Sequence, residues 1–199
     1  CNNCSPAVTL DSSAPRILEH IGAHILFDSK VKRSDEPCGL CQLPAQLCRI
    51  IVVPGKGTKA SPHVDWNRST GCARPVNFSY RWASEYNDSS PCTNVPLICK
   101  LCPKDAPAVW RYNLSFHLGH VHSQEAVAQY ADLCNLSDKE MAGMKDVWRN
   151  RLKAKATKRS QKNAPLLTIS EAHCSTTPIH SYVPSSAGLP IIALTSWLR

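Results

Sequence analysis

At 199 residues and a formal net charge of +8, the chain has room for one ordinary domain or several very small ones, and it favours anionic over cationic partners. Aromatic residues make up only 7% and prolines number 15, which argues against one large apolar core and for small modules stapled by metal. No apolar run is long enough to span a membrane, so a membrane partner is not expected.

The chain opens on Cys1 rather than Met, so it is expected to be a fragment, and a missing leader carries no weight. Residues 1–27 read as one C2H2-like zinc finger. Cys1 and Cys4 form a C-x-x-C pair, and Pro15 suits the first turn of a helix whose N-cap is Ser12 or Ser13. Ile17, His20, Ile21 and His24 then recur at i, i+3, i+4 and i+7, so both imidazoles share the apolar face. Cys1, Cys4, His20 and His24 are the ligands expected there. Gly22 costs this helix about 1 kcal/mol relative to Ala, which a metal bond would offset.

Residues 28–37 read as a charged linker and 38–98 as a cysteine-rich β unit. Cys38-Gly-Leu-Cys41 is a knuckle in which Gly39 would permit the tight turn around a metal. Arg49 to Val53 and Val76 to Trp82 look like strands, with Pro54 to Lys59 an exposed basic hairpin rather than a phosphate loop. Cys38, Cys41 and Cys72 are the expected ligands of this unit, with Cys92 or Cys48 as the fourth. His63 is also available.

Residues 99–123 read as a second C2H2-like finger, with Cys99, Cys102, His117 and His122 as ligands. Fourteen residues separate Cys102 from His117 and four separate the two histidines, so the helix must loosen at its end, and His120 competes for the last position. Leu114 lies three before His117 as Ile17 lies three before His20, an internal echo of the first finger. In the helical segment 124–152, Ser137 and Glu140 form a capping box, and Met141, Met144, Val147 and Trp148 make an apolar stripe. The segment 153–199 reads as a basic, mostly disordered tail, with His173 and Cys174 unpaired.

A secreted, disulfide-bonded protein is the rival reading of eleven cysteines, and five N-x-S sequons, at Asn67, Asn77, Asn87, Asn113 and Asn135, favour it. Three C-x-x-C pairs argue the other way, because residues so close cannot easily staple distant segments. Histidines at finger-like distance after two of the pairs have no place in a disulfide scheme. Bound zinc is therefore expected at two sites, with the middle unit as a third.

Certain stretches carry a family resemblance: Ile17 to Leu26, Glu36 to Cys41, Ser90 to Pro96, and Cys99 to Lys104 with Trp110 and His117. The helix 137–151 with Trp148 belongs with them. Through these stretches residues 1 to about 150 resemble an uncharacterised group of zinc-finger proteins encoded in many copies in mushroom-forming fungi. The short motifs are also similar to C2H2 and BED-type fingers of transcription factors and transposon-derived proteins. The resemblance implies no established activity. It supports Cys72 and Cys92 as fixed features of the middle unit, so the ligand set expected there is Cys38, Cys41, Cys72 and Cys92.

The expected architecture is thus a small metal-stabilised α+β chain. Two C2H2-like ββα fingers flank a cysteine-rich β unit, followed by a helix and the basic tail. The expected role is zinc-dependent binding of nucleic acid, DNA in the first instance, in a nuclear transcriptional regulator or mobile-element-associated protein. Docked as ordinary fingers dock, the first helix would present Ser13, Arg16 and Glu19 to bases, and the second Trp110, Asn113 and Phe116. Of these, Arg16 could read guanine, Glu19 cytosine and Asn113 adenine. Arg149, Arg151, Lys153, Lys155, Lys158 and Arg159 would contact phosphates. The alternative is a protein-interaction module that docks a partner through the fingers and the 137–151 helix. An enzyme is not expected, since no paired carboxylates sit in a recognisable acid/base or metal setting.

Overall fold

The computed structural model describes residues 1–55, 57 and 60–153. The predicted tail, with Lys155, Lys158, Arg159, His173 and Cys174, lies outside the described residues. Those described form a small α+β unit in which both sheets are two-residue antiparallel strand pairs.

The organising element is the helix α1, Ala14–Phe27. Pro15 enters its first turn, where the missing N–H has no intrahelical partner to lose. Every residue from Ile17 to Ile25 is buried, so α1 is a core helix and not an amphipathic one with a free polar face. Gly22 makes this packing close. A Cβ there would lie 3.0 Å from Tyr112 Cε2, 3.1 Å from Cys92 Sγ and 3.2 Å from Met144 Cε. Its absence therefore relieves a crowded contact, which the propensity argument does not capture.

No strand is assigned in residues 1–13, so the first Cys/His group lacks the hairpin expected of it. The middle segment pairs β1, Val52–Val53, with β2, His63–Val64, antiparallel and in register Val52 to Val64. An isolated bridge between Arg49 and Thr70 continues the pairing. His63 is exposed on β2 and, among the described residues, belongs to no ligand group. Where a second strand was expected across 76–82, the chain instead forms the short helix α2, Tyr80–Ser84. Residues 71–80 do alternate in exposure, but among the described residues they have no partner strand to pair with.

The second pair is β3, Pro96–Leu97, with β4, Val109–Trp110, and it encloses Cys99 and Cys102. A 3-10 turn at Arg111–Asn113 leads into α3, Leu114–His117, which widens into a π-turn over Leu118–His122. Two short helices follow, α4 at Gln124–Gln129 and α5 at Ala131–Cys134. The last is α6, Asp138–Asn150, which packs along α1. Ser137 caps α6 by accepting from the Glu140 N–H at 3.2 Å.

The capping box is only half formed. The Glu140 carboxylate does not reach back to Ser137 but enters the core, where it accepts from the Thr93 N–H, the Thr93 hydroxyl and the Tyr112 hydroxyl. The inward face of α6 is accordingly Glu140, Met144, Val147 and Trp148, with Met141 displaced to the exposed side.

One core joins the segments. Ile17, Leu18 and Ile21 of α1 share it with Leu40, Ile50 and Val52 of the middle segment, with Trp110 and Tyr112, and with Met144 of α6. The Ala108 N–H donates to the Ile50 carbonyl at 2.7 Å, a direct tie from the middle segment to the start of β4.

Candidate metal centres

Cys1, Cys4, His20 and His24 form the first group. The Cys1–Cys4 turn sits over the face of α1 that carries both histidines. Cys4 Sγ is 3.4 Å from His20 Nε2 and 3.2 Å from His24 Nε2, and Cys1 Sγ is 3.6 Å from His24 Nε2. On its other nitrogen, His24 Nδ1 meets Asp28 Oδ2 at 2.8 Å. A carboxylate on Nδ1 fixes the tautomer whose Nε2 lone pair faces the sulfurs, the usual outer partner of a metal-bound histidine. Burial holds the His20 imidazole well below its ordinary value, at about 4, with the His24 ring and nearby cations adding to the effect. It is therefore neutral at physiological pH, as a ligand must be. The Trp148 ring stands edge-on to His24 with centroids 5.1 Å apart, and the Arg151 guanidinium lies 3.5 Å over the Trp148 ring.

Cys99, Cys102, His117 and His122 form another group of the same composition. Residues five apart do not share a face of an α-helix, but the wider i→i+5 turn brings them round to the same side. The π-turn Leu118–His122 does this for His117 and His122. Cys102 Sγ is 3.4 Å from His117 Nε2 and 3.3 Å from His122 Nε2, and Cys99 Sγ is 3.4 Å from His122 Nε2. His120 points elsewhere and stacks on Phe116 at 5.5 Å. His117 repeats the arrangement of His24, with its Nδ1 2.8 Å from Glu36 Oε1.

The middle group is Cys38, Cys41, Cys48 and Cys72. Its knuckle is held by Leu40 N–H donating to Cys38 Sγ at 3.4 Å and by Gln42 N–H donating to the Cys38 carbonyl at 2.9 Å. Cys41 and Cys48 sulfurs are 3.7 Å apart. Hydrogen bonding with Cys41, Cys48 and Cys72, followed by burial, pushes the Cys38 thiol far above its usual range. So many thiols crowded together cannot all ionise unless a cation offsets their charge.

Cys92 is a correction to the expected ligand set. It lies beneath α1, where its thiol donates to the Leu18 carbonyl at 3.3 Å and burial raises it to about 12. Cys48 takes its place, because the turn after Pro44 folds back onto the knuckle, with Cys48 N–H donating to the Pro44 carbonyl. Gly39 also has a different reason from the one expected. A Cβ on it would lie 2.3 Å from Trp110 Cε3, so it is the ring of β4 that excludes a side chain there.

A tetrahedral ion bound through sulfur and imidazole at ordinary bond lengths separates S from N by about 3.5 Å and S from S by about 3.8 Å. The observed separations match both. In each of the three groups the candidate ligand atoms lie within 4.8 Å of one another. None of the ten cysteines in the described residues is in a disulfide. The donor sets therefore fit metal ions, and each set is already four-fold.

The base-reading residues fare differently. Glu19 is only 3% exposed and its Oε2 holds Arg16 Nη1 at 2.8 Å, so it is no free acceptor for cytosine. Arg16 remains half-exposed beside it. Asn113 is fully buried and its amide donates to the Pro37 carbonyl at 2.9 Å, which removes it as an adenine reader. Trp110 is in the core. Arg149 and Lys153 are exposed, and Arg151 is partly occupied by Trp148.

Asp28 and Glu36 were missed in the sequence. Asp28, four residues after His24 on one helical face, was legible from spacing alone. Glu36 was not, since 81 positions separate it from His117.

No family model, curated protein or solved structure matches the chain.

Proposed function

We propose that this chain is a zinc-dependent nucleic-acid-binding protein whose metal ions are structural. The observation that carries the metal assignment is the occurrence, among the described residues, of three closed four-donor sets, two of paired cysteines and histidines and one of four cysteines. Soft sulfur with imidazole in tetrahedral array favours zinc among common divalent ions. With four protein ligands no position stays open for water or substrate, which supports a scaffold role over catalysis.

For nucleic acid the support is the net charge of +8 and the basic run that begins at Arg149. The burial of α1 and Asn113 argues against readout by helices laid in the major groove. The proposed contacts are therefore to phosphates, by Arg149, Arg151 and Lys153 and by the basic residues that follow. DNA as the partner, a nuclear location and kinship with the fungal zinc-finger group belong to this proposal.

A protein-interaction module is the second reading, favoured by the 73% exposure of Trp82 and by exposed Ile98 and Leu101 near the third metal group. The affinity of the zinc-loaded chain for mixed-sequence duplex DNA, followed against salt, separates the two. Nucleic-acid binding predicts a steep fall, with the log–log slope reduced by about one for each of Arg149, Arg151 and Lys153 that is neutralised. A salt-independent affinity, or none, selects the protein-interaction reading.

A further inference from the structure

The segment from Asp28 to Cys38 contains no residue of the first or third metal group, yet it touches all three. Its first residue supplies the carboxylate on His24 of the first group, and the Lys30 N–H donates to the other Asp28 oxygen at 3.0 Å. Its last charged residue, Glu36, supplies the carboxylate on His117 of the third group. Its last residue, Cys38, is itself a ligand of the middle group.

Between these points the segment is anchored to the rest of the unit. The Arg33 guanidinium donates to the Tyr112 carbonyl, the Asp35 carbonyl accepts from Ala45 N–H at 2.9 Å, and the Pro37 carbonyl accepts from the Asn113 amide. Glu36 has φ +47°, a left-handed conformation unfavourable for a residue with a Cβ. Glycine or asparagine would suit that backbone better. Neither offers a carboxylate that reaches His117.

We propose that residues 28–38 act as a strap that couples the three metal groups, so that they load as one cooperative unit and not as independent fingers. Placing a metal in the third group orders His117. His117 orders Glu36, and Glu36 fixes the backbone two residues before Cys38. On the other side of the middle group, the Trp110 ring that follows the Cys99–Cys102 turn lies flat against Gly39 and so completes the same linkage. At the strap's first residue, a metal on His24 orders Asp28. Each ion thus prepays part of the ordering of the next site, which is positive coupling between sites.

The inference rests on the metal reading, and the test tells the two apart. Native mass spectrometry of the reduced full chain, titrated with zinc, should show mainly metal-free and three-zinc species at half saturation. A binomial spread of one- and two-zinc species would overturn the coupling while leaving three metal sites. A chain that took up no zinc would overturn the metal reading itself.

A second measurement uses cobalt, whose visible bands differ between tetrathiolate and Cys2His2 sites. Glu36→Ala should weaken the third group by about 10–100-fold, the usual cost of losing such an outer partner. It should also move the tetrathiolate midpoint in the same direction, with Glu36→Gln, which keeps an acceptor, recovering part of both. If the third group weakened and the tetrathiolate midpoint stayed fixed, the strap would be structural only.

Discussion

The Trp110 ring lies against the α-carbon of Gly39, so close that any Cβ would come within 2.3 Å of Cε3. Because Trp110 is in the core and pinned in β4 opposite Pro96, it cannot withdraw. Gly39→Ala is therefore expected to destabilise the metal-loaded unit by about 1–3 kcal/mol, at the upper end of overpacking costs. The loss should appear as a lower midpoint in denaturant. The same variant should bind cobalt more weakly at the tetrathiolate group, since the shift displaces Cys38 and Cys41. If cobalt affinity at the tetrathiolate group stayed unchanged, the Trp110–Gly39 contact would not be linked to the site.

Cys48 and Cys92 exchange the roles expected from sequence, and their variants should diverge. Cys48→Ser removes a thiolate from the middle group and should lower the zinc bound per chain below three, with the two coupled groups also weakened at moderate zinc. Cys92→Ala removes a buried thiol that donates to Leu18, at a cost of about 1 kcal/mol for the lost volume, and should leave three zincs in place. Zinc content by native mass spectrometry of the two variants is the check. The reverse pattern would restore Cys92 as a ligand.

What the sequence showed follows from how local each signal is. The C-x-x-C pairs, the helix carrying His20 and His24 on one face, and the Ser137 cap are short-range patterns, and each stands in the structure. The loosening of the helix before His122 was legible too, because a spacing of five residues demands it. The rest was not readable from local pattern. Nothing near Cys48 distinguishes it from Cys92. A charged stretch such as 28–37 resembles any solvated linker until Glu36 is placed beside His117, and the burial of Glu19 and Asn113 depends on what packs around α1 and the 3-10 turn. Glu140 illustrates the same limit within one residue: its backbone obeys the capping pattern while its side chain answers to Tyr112 and Thr93.

That buried carboxylate sets a third expectation. Glu140 Oε1 accepts from the Thr93 N–H at 3.1 Å, the Thr93 hydroxyl at 2.5 Å and the Tyr112 hydroxyl at 2.6 Å, while Arg111 Nη1 stands 3.9 Å from Oε2. Burial, with Cys92 and Glu140 nearby, raises the Tyr112 hydroxyl far above its usual range, so it remains a donor at any ordinary pH. Glu140→Ala strands these donors and Arg111, and should cost about 3–5 kcal/mol. Tyr112→Phe removes one charge-assisted bond and should cost about 1.5–3 kcal/mol. In denaturant unfolding the double variant should fall short of the sum, since both act on one network. Strict additivity would mean that the Tyr112–Glu140 contact contributes nothing.

Removal of metal should unfold the unit rather than loosen one corner of it. The strands are two residues long and cannot persist alone. The core that joins the segments is lined by Cys38, Cys41, Cys48 and Cys72, so extracting the middle ion leaves crowded thiols at its edge. Trp148 provides a local reporter, because its ring is fixed between His24 and the Arg151 guanidinium. Chelation under reducing conditions is expected to abolish the near-ultraviolet circular dichroism, to shift the Trp148 fluorine resonance of a 5-fluorotryptophan-labelled chain, and to lose far-ultraviolet helical signal in the same transition. Zinc, added back, should restore all three together. If the helical signal survived chelation while Trp148 was released, α1 and α6 would hold without the ions, and the metals would be accessories to the core.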